Sequence, residues 1–308
     1  MKKVFIDGSA GTTGLRIRER LADRKDITLL TLPEALRKDA SARREKLNEV
    51  DVVFLCLPDD AAREAVGMIE NDAVAVIDTS TAHRTAEGWT YGFAELGYRE
   101  AIASAKRIAN PGCHASGFLA LVTPLVKEGL IAPDTALTAF SLTGYSGGGK
   151  KMIAEYEAEE QDPLLGAPRQ YALGQKHKHL PEMSAIAGLT CLPVFCPIVG
   201  SFYSGMEVTV PLFARDLKGS AEDVRAAYAK WYEKGLVRYV PDGAEGGFLS
   251  AAAFEGRDDM EVSVYGNEER ILLTARFDNL GKGASGAAIQ NMNILLGQDE
   301  TTGLVVPH

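Results

Sequence analysis

The N-terminal part of the chain alternates between short apolar runs and amphipathic stretches. An apolar run at 3–7 leads into an amphipathic stretch at 15–21, which predicts a strand followed by a helix. A proline and two aspartates at 58–60 predict the start of a second helix, over 61–70. Further strands are predicted at 27–32, 51–57 and 73–78. This alternation is typical of a doubly wound, parallel α/β sheet.

The pattern changes after residue 115, where long β-type runs replace the alternation. These runs lie at 135–143, 193–199, 201–213, 260–265 and 270–278. One clear helix interrupts them at 221–234, with Ser220 and Asp223 placed as a capping box. A last helix is predicted over 283–296. Runs of strands with few helices favour a second domain of α+β type, built on a mostly antiparallel sheet.

Composition and charge exclude several classes of function. The 308 residues include 33 basic and 42 acidic side chains, for a formal charge of −9, and no cluster forms the basic face that nucleic acid requires. No apolar run reaches the roughly 20 residues of a membrane helix, and no apolar signal core follows the N-terminus. Four cysteines without a CxxC pair fit neither a disulfide scaffold nor a zinc site. We therefore expect a reducing, cytoplasmic compartment and neither a nucleic-acid nor a membrane partner.

A glycine-rich segment lies between the first predicted strand and the first predicted helix. Backbone amides at a helix N-terminus bind phosphate, and glycine lets a pyrophosphate approach the chain closely. Ala10 stands where the usual G-x-G-x-x-G spacing has its second glycine, so an ordinary glycine-rich turn is the alternative. The position at the start of a βαβ unit favours a dinucleotide site. Its predicted residues are Gly8, Ser9, Ala10, Gly11, Thr12, Thr13 and Gly14.

The choice between NAD and NADP depends on the segment after the second predicted strand. NAD sites carry an acidic residue near the end of that strand, but here Glu34 lies beyond a proline. The side chains that follow suit a 2′-phosphate better, and they are Arg37, Lys38, Ser41, Arg43 and Arg44. We therefore expect NADP(H), bound in part by Arg37 and Ser41. A solvated helical face is the alternative for any one of these residues.

Cys113 is the candidate nucleophile. It follows an Asn-Pro-Gly turn at 110–112 and precedes an apolar, helix-like stretch at 118–126, so it lies where a tight turn leads into a helix. The positive end of a helix dipole stabilises a thiolate and lowers the pKa of the thiol. A buried, inert cysteine is the alternative. The remaining cysteines are interpreted as structural: Cys56, Cys191 and Cys196.

Two histidines at 177 and 179 are candidates for the acid/base that a nucleophilic cysteine needs. One residue separates His177 from His179, so in an extended segment their rings would point to opposite sides. One ring could then serve the thiol and the other a substrate. A zinc site is a weaker alternative because no third ligand is evident, and surface histidines are another. His83 and His114 receive no role.

Five motifs together resemble a known family. They are Gly-Ser-Ala-Gly-Thr-Thr-Gly (8–14), Asn-Pro-Gly-Cys-His (110–114), Ser-Gly-Gly-Gly-Lys (146–150), His-Lys-His-Leu-Pro-Glu (177–182) and Asn-Leu-Gly-Lys-Gly-Ala (279–284). In this order, over most of the chain, they resemble the short-form N-acetyl-gamma-glutamyl-phosphate reductases of the aspartate-semialdehyde dehydrogenase superfamily. We accordingly expect a Rossmann-type NADP-binding domain over 1–114 plus 283–308. A catalytic and oligomerisation domain of α+β type is expected over 115–282.

The resemblance implies NADPH-dependent reduction of N-acetyl-gamma-glutamyl phosphate to N-acetyl-L-glutamate 5-semialdehyde and phosphate, in arginine biosynthesis. Cys113 matches the nucleophile that displaces phosphate and holds the acyl group as a thioester. His177 matches the acid/base. The residues that match the substrate pocket are His179 and Glu182, and those that match the nicotinamide region are Ser146, Gly147 and Asn279.

The departing phosphate requires a cationic donor. Arg84, which follows the fourth predicted strand, is the candidate, with Arg107 second and a surface salt bridge as the alternative. The resemblance also implies a homodimer or homotetramer that acts on a small acyl phosphate.

The length of the acyl substrate stays open, because one methylene changes selectivity by only about 1–3 kcal/mol. Aspartate semialdehyde and N-acetylaminoadipate semialdehyde are the alternative substrates. A non-catalytic, NADP-sensing module is the remote alternative.

Overall fold

The computed structural model describes residues 1–307, which divide into two compact units. The first unit comprises Met1–Gly112 and Ala284–Leu304, and the second comprises Cys113–Gly283 with the tail that begins at Val305. The predicted domain of residues 1–114 plus 283–308 ends at His308, which lies outside the described residues. No helix within residues 1–307 is both long enough and apolar enough to cross a lipid bilayer.

The first unit contains a parallel sheet. Its strands are β1 (Lys2–Asp7), β2 (Ile27–Leu30), β3 (Val52–Leu55), β4 (Ala75–Asp78), β5 (Thr90–Tyr91) and β6 (Arg107–Ala109). Their order is β2-β1-β3-β4-β6-β5, and all neighbours are parallel. The carboxyl ends of all these strands therefore lie at one edge. The chain adds β2 on one side of β1 and then crosses to add β3 on the other side, and doubly wound sheets bind ligands at this switch point between β1 and β3.

Helices cover both faces of this sheet. They are α1 (Thr12–Leu21), α2 (Ala40–Glu49), α3 (Asp59–Gly67), α4 (Arg99–Ser104) and α9 (Gly286–Leu295). Val4 of β1 packs in one core cluster with Ile17 of α1 and Met292 of α9. Its neighbour Phe5 points to the other face and packs with Leu47 of α2. Successive residues of β1 thus belong to different cores, as expected for a strand covered on both sides.

The second unit contains a seven-stranded sheet of order β11-β12-β13-β10-β7-β9-β8. The strands are β7 (Thr138–Gly144), β8 (Arg169–Gln170), β9 (Val194–Gly200), β10 (Met206–Phe213), β11 (Val237–Tyr239), β12 (Met260–Gly266) and β13 (Arg270–Phe277). The β7–β9 and β11–β12 pairs are parallel, and the other neighbouring pairs are antiparallel. The sheet is therefore mixed, and the expected mostly antiparallel sheet is not confirmed.

For the parallel β7–β9 pair, the difference arises from helices that the apolar pattern does not reveal. The helices of this unit are α5 (Cys113–Lys127), α6 (Gly149–Tyr156), α7 (Leu180–Ala187) and α8 (Ala221–Trp231). Both α6 and α7 lie between β7 and β9, and each has only eight residues, too few for a clear helical period. Parallel strands require such a crossover, whereas antiparallel strands can be joined by a tight turn.

The long helix α5 forms the centre of the second unit. It is buried continuously from His114 to Leu125 and packs against β10 and β13. A Cβ at Gly117 would lie 2.5 Å from Cγ2 of Val208 and 2.9 Å from Cε1 of Phe277. The missing side chain at Gly117 therefore lets α5 lie close against the sheet, and this contact sets the position of its first residue, Cys113.

Replacing this glycine tests the close contact. We expect Gly117→Ala to lower the free energy of unfolding by about 1–3 kcal/mol, because overpacking outweighs the better helix propensity of alanine. Urea denaturation measures the change. The matched control is Gly67→Ala at the end of α3, where a Cβ would meet nothing within 4 Å. That variant is expected to be neutral or more stable by up to about 1 kcal/mol; equal effects of the two substitutions would contradict the packing argument.

Candidate active site

The glycine loop connects β1 to α1 at the carboxyl edge of the parallel sheet. Gly8 has a φ of +88°, and a Cβ there would lie 2.2 Å from the Cys56 carbonyl oxygen, just beyond β3. A Cβ at Gly14 would lie 2.5 Å from the Gly8 carbonyl oxygen. At Gly11, by contrast, a Cβ would meet nothing closer than 3.5 Å. The outer glycines are thus required by the fold itself, whereas the fold leaves room for a side chain at Gly11, so the glycine there suits the close approach of a pyrophosphate.

The first turn of α1 adds amide donors to this loop. Helix α1 begins at Thr12 with Gly11 as its N-cap, and no side chain caps it. Its first amides are therefore left for solvent or an anion. The remaining predicted loop residues are accessible: Ser9, Thr12 and Thr13 are half-buried and Ala10 is exposed. These residues fit a dinucleotide phosphate group.

The segment assigned to the 2′-phosphate follows β2, whose carboxyl end lies beside that of β1. Arg37 is half-buried, and its guanidinium lies 3.8 Å from the exposed Glu34 carboxylate. Ser41 is exposed in the first turn of α2. Both residues stay candidates for NADP recognition.

Arg43 has a different role from the one that the sequence suggests. Its Nε and Nη2 donate to the Asp7 carboxylate at 3.1 and 2.9 Å, and both side chains are buried. Burial raises the pKa of Asp7, and the Arg43 guanidinium opposes that shift. The pair holds α2 against the end of β1, next to the glycine loop. The sequence signal for this pair was Asp7 at the end of an apolar strand, because a buried carboxylate requires a partner.

Arg84 braces the turn that precedes Cys113 in sequence. The side chain is buried. Its Nε donates to the Asn110 carbonyl oxygen at 3.0 Å, and its Nη2 donates to the Thr79 carbonyl oxygen at 3.1 Å. The predicted contact of Arg84 with phosphate stays a prediction. Arg107 begins β6, at the edge opposite to the carboxyl ends of the strands, which disfavours it as the second candidate.

Buried asparagines join the same turn to α9. Nδ2 of Asn110 donates to the Ala284 carbonyl oxygen at 2.9 Å. Nδ2 of Asn291 donates to Oδ1 of Asn110 at 3.1 Å and to the Gly92 carbonyl oxygen at 2.9 Å. Both asparagine side chains are buried. This network gives Asn291 of α9 a structural role.

Cys113 begins α5, as the sequence predicts. Within residues 1–307 its thiol takes part in no disulfide, and the residue is half-buried. A Cβ at Gly283 would lie 3.1 Å from the Cys113 Cβ, so the backbone at Gly283 passes directly against the cysteine. The Cβ of Cys113 is therefore bordered on one side by Gly283.

His177 and His179 lie in a turn, not in an extended segment. The His179 amide donates to Nδ1 of His177 at 3.2 Å, and the two ring centroids are 4.8 Å apart. The expectation of rings on opposite sides, which assumed an extended chain, does not apply. The His114 ring lies 5.5 Å from that of His177 and 5.6 Å from that of His179. The structure therefore brings three imidazoles together next to the candidate nucleophile.

His114 is the main residue that the sequence analysis missed. Its Nδ1 lies 2.7 Å from the Ser141 hydroxyl, and its Nε2 lies 2.7 Å from the Tyr171 hydroxyl. Burial, together with the nearby charges of His177 and Lys178, lowers the pKa of His114 to about 3. The ring is therefore neutral near pH 7. Its position beside the cysteine in sequence was the one available signal.

The side chain of Gln175 anchors the loop that carries the histidines, because its amide group forms two hydrogen bonds with the backbone of β9. Nε2 of Gln175 donates to the Phe195 carbonyl oxygen at 2.7 Å, and the Phe195 amide donates to Oε1 of Gln175 at 2.9 Å. Ala172 and Gln175 adopt left-handed backbone conformations, with φ of +53° and +52°. Such strain is retained when the surroundings fix it, often at functional sites.

Three residues predicted for the nicotinamide region come together in the second unit. Nδ2 of Asn279 donates to the Ser146 hydroxyl at 3.0 Å, and its Oδ1 accepts from the Gly205 amide at 2.9 Å. A Cβ at Gly147 would lie 3.6 Å from the same Nδ2. Asn279 therefore fixes the turn at Tyr145–Gly148.

Glu182 is buried in the first turn of α7, directly after the buried His179. Within residues 1–307, no group of three or more histidine, cysteine, aspartate or glutamate side chains is arranged to hold a metal ion. Both ring nitrogens of His114 are already engaged by hydroxyls.

The neutral state of His114 predicts a pH-dependent stability. The folded-state pKa of about 3 lies below the usual value of 6.5, so on acidification the unfolded chain binds a proton that the folded chain does not. This contribution is complete above pH 6.5 and is lost as the pH falls toward 3. Between pH 7 and 5 the loss is about 2 kcal/mol.

Urea denaturation at several pH values measures this effect. We expect His114→Gln, which cannot titrate, to lose about 2 kcal/mol less than the wild type between pH 7 and 5. Tyr171→Phe keeps the buried imidazole and should retain the wild-type pH dependence. Identical pH dependence in His114→Gln and the wild type would show that His114 is not the group concerned.

Comparisons with known proteins agree with this geometry. Residues 113–279 match the family model of the semialdehyde dehydrogenase dimerisation domain. Residues 33–105 match that of the semialdehyde dehydrogenase NAD binding domain. Among solved structures, aspartate semialdehyde dehydrogenase II from Vibrio cholerae has a TM-score of 0.72 at 17% identity, over 96% of this chain and 99% of that one. The aspartate semialdehyde dehydrogenase with NADP from Candida albicans has a TM-score of 0.66, also at 17% identity, over 96% and 98%. These likenesses show the fold.

Sequence relatives give a closer match. N-acetyl-gamma-glutamyl-phosphate reductase 2 of Nostoc sp. is 46% identical to this chain, covering 98% of it and 99% of the relative. The reductase 2 of Pseudomonas putida is 47% identical, covering 97% and 98%. The reductase of Rhizobium meliloti is 46% identical, covering 96% and 98%. On this similarity over nearly the whole length, which confirms the resemblance carried by the five motifs, the chain belongs to the N-acetyl-gamma-glutamyl-phosphate reductase family.

Proposed function

We propose that the protein catalyses the NADPH-dependent reduction of N-acetyl-gamma-glutamyl phosphate to N-acetyl-L-glutamate 5-semialdehyde and phosphate, a step of arginine biosynthesis. The observation that carries this proposal is the reduced Cys113 thiol at the start of α5, with His177 and His179 packed around the adjacent His114. Relatives named for this activity are 46–47% identical over nearly the whole chain.

Cys113 acts as the nucleophile. Its thiolate attacks the acyl carbon, a carbon–sulfur bond forms, and the bond from carbon to the phosphate oxygen breaks. Phosphate leaves with the bonding electrons, and the acyl group stays on the protein as a thioester. The start of a helix stabilises the thiolate that this attack requires. Division into two displacements keeps the activated acyl group in place until it is reduced.

His177 acts as the acid/base. Its Nδ1 accepts a hydrogen bond from the His179 amide at 3.2 Å, which holds the ring beside that of His114. The ring takes up the thiol proton as Cys113 attacks, and this proton leaves with the phosphate. The choice of His177 over His179 is supported by exposure, since His177 is half-buried and His179 is only 4% exposed.

The substrate pocket is assigned to His179 and Glu182. Both lie at the start of α7, which packs against α5 in the same unit, and both offer polar groups suited to the acetamido and carboxylate ends of the substrate. Arg84 stays the candidate for the phosphate, because its guanidinium follows β4 at the carboxyl edge of the parallel sheet.

NADP(H) is assigned to the first unit. The glycine loop at 8–14 would hold the pyrophosphate, and Arg37 and Ser41 would hold the 2′-phosphate. Ser146, Gly147 and Asn279 would contact the nicotinamide side, where Asn279 already fixes the turn at Tyr145–Gly148. When bound, the coenzyme supplies the hydride that reduces the acyl group on Cys113.

A homodimer formed by the second unit is part of the proposal. Phe140 of β7, Val194 of β9 and Leu272 of β13 are 43%, 54% and 42% exposed. Strand register places all three on the face opposite to the one that α5 covers. An apolar sheet face of this kind suits a second copy of the chain, and the family model over this unit is described as a dimerisation domain. A homotetramer would require a second contact.

The cellular compartment is assigned from the cysteines. Within the described residues none of the four forms a disulfide, which supports a reducing compartment such as the cytoplasm.

Replacing the nucleophile tests the proposal. We expect Cys113→Ser to lose at least about 10³-fold in rate, because a serine hydroxyl is a far weaker nucleophile than a thiolate. The assay is phosphate-dependent reduction of NADP with N-acetyl-L-glutamate 5-semialdehyde. Cys191→Ser, at a half-buried cysteine assigned no role, is the control and should keep the wild-type rate. Retained activity in Cys113→Ser would contradict the proposal of covalent catalysis by this cysteine.

The same assay decides the substrate. Aspartate semialdehyde and N-acetylaminoadipate semialdehyde are offered in parallel, and faster turnover of either would replace the proposed substrate without changing the chemistry. Mass spectrometry of protein quenched with the acyl phosphate and no coenzyme should find the acyl adduct on the peptide that contains Cys113.

A second substitution tests the coenzyme assignment. Loss of a charge-assisted contact to the 2′-phosphate costs about 1.5–3 kcal/mol, so we expect Arg37→Ala to raise the KM for NADP about tenfold or more. The KM for NAD should not change. Arg63→Ala, an exposed arginine on α3, is the control. Equal effects of Arg37→Ala on both coenzymes would contradict the assignment.

A further inference from the structure

A buried hydrogen-bonded chain runs through the second unit next to Cys113. Its members are Ser141 on β7, His114 on α5 and Tyr171 directly after β8, joined by two contacts of 2.7 Å. Ser141 and His114 are buried, and Tyr171 is half-buried. The neutral ring of His114 has one N–H donor and one acceptor nitrogen, so the chain can carry its protons in only two arrangements.

The burial of Ser141 selects one arrangement. Among residues 1–307, the Ser141 hydroxyl has no hydrogen-bond partner other than Nδ1 of His114. If Nδ1 carried the ring proton, the serine O–H would be buried without an acceptor, which is costly. The serine therefore donates to Nδ1, the ring proton lies on Nε2, and Nε2 donates to the Tyr171 oxygen.

This arrangement leaves the Tyr171 proton uncommitted. The described part of the chain offers the Tyr171 hydroxyl no partner except Nε2 of His114, which already uses its oxygen as an acceptor. Burial and the charge of a Cys113 thiolate raise the pKa of Tyr171 above its usual value, so the phenol keeps its proton near pH 7. Tyr171 is thus a hydrogen-bond donor held close enough to Cys113 to feel its charge.

The backbone also fixes Tyr171. Its amide donates to the Pro197 carbonyl oxygen at 3.0 Å, which continues the pairing of β8 with β9. The next residue, Ala172, turns the chain through a left-handed conformation. The Tyr171 ring centroid lies 5.9 Å from that of His177, the proposed acid/base.

We propose that Tyr171 is a further catalytic residue, whose hydroxyl donates a hydrogen bond to the carbonyl oxygen of the acyl group on Cys113, and that His114 and Ser141 are positioning residues that aim this donor. Negative charge develops on that oxygen when the thiol attacks and again when the thioester is reduced, and a fixed donor stabilises it in both steps. The inference rests on the proposed thioester chemistry. It assigns a function to the buried histidine beside the nucleophile.

Steady-state kinetics of a double-mutant cycle test the inference. Loss of one oxyanion donor costs about 10²–10³-fold in kcat, so Tyr171→Phe should lower kcat by about 10²-fold and change KM little. Ser141→Ala should lower kcat less. It should have no further effect in the Tyr171→Phe background, because its influence passes through the tyrosine. Multiplicative losses in the double variant would overturn the positioning role.

The pH dependence of Cys113 alkylation by iodoacetamide separates two targets of the donor. A thiol pKa unchanged in Tyr171→Phe supports donation to the acyl oxygen. A raised thiol pKa would show that Tyr171 serves the thiolate instead, and would overturn the assignment. Thermal midpoints of the variants confirm that they are folded.

The two levels of the proposal can fail separately. The wild-type rate with each semialdehyde reports on the proposed function, whereas the ratio of variant to wild-type kcat reports on Tyr171. A fully active Tyr171→Phe in an active wild-type background would overturn the inference and leave the proposed function intact.

Discussion

The position of the nucleophile depends on the burial of α5. A helix covered from His114 to Leu125 has little freedom to shift, and Gly117 lets it lie close against β10 and β13. The apolar packing of this helix therefore fixes the first residue of the helix, which is the reactive one. The close approach of Gly283 to Cys113 adds a second constraint. The position of the reactive sulfur thus depends on how α5 packs at Gly117, four residues further along the chain.

Two pairs of polar side chains in the interior stiffen the ends of the elements that carry them. Asp7 and Arg43 join β1 to α2, and Asn110 and Asn291 join the turn before Cys113 to α9. Leaving any of these groups unpaired would cost more than the hydrogen bond itself contributes. Such pairs therefore specify one arrangement of the backbone, which is what a reactive site requires.

The apolar pattern was sufficient to locate elements in which a regular spacing of apolar residues extends over several turns or residues. The strands at the start of the chain, the glycine loop and the helix after Ser220 are found close to where the sequence places them. Cys113 at the beginning of a helix follows from an Asn-Pro-Gly turn before an apolar stretch. Each of these features is local, so neighbouring residues carry the information.

The missed features depend on contacts between residues far apart in sequence. Helices α6 and α7 are too short for a period to emerge. Arg43 looked like a cofactor cation because nothing near it in sequence reveals that Asp7 is its partner. His114 and Tyr171 are separated by 57 positions, and only the fold brings them together. A single sequence therefore indicates the chemistry of the nucleophile but not the groups that orient its surroundings.

The assignment of α9 to the first unit has a consequence for biogenesis. Residues of α9 complete the core cluster that contains Val4 and Ile17, yet residues 113–283 of the second unit are synthesised before them. A nascent chain on the ribosome therefore carries an unfinished N-terminal core, with apolar surface open to chaperones, until the last helix emerges. The part of the chain that is synthesised first is therefore the last to complete its core.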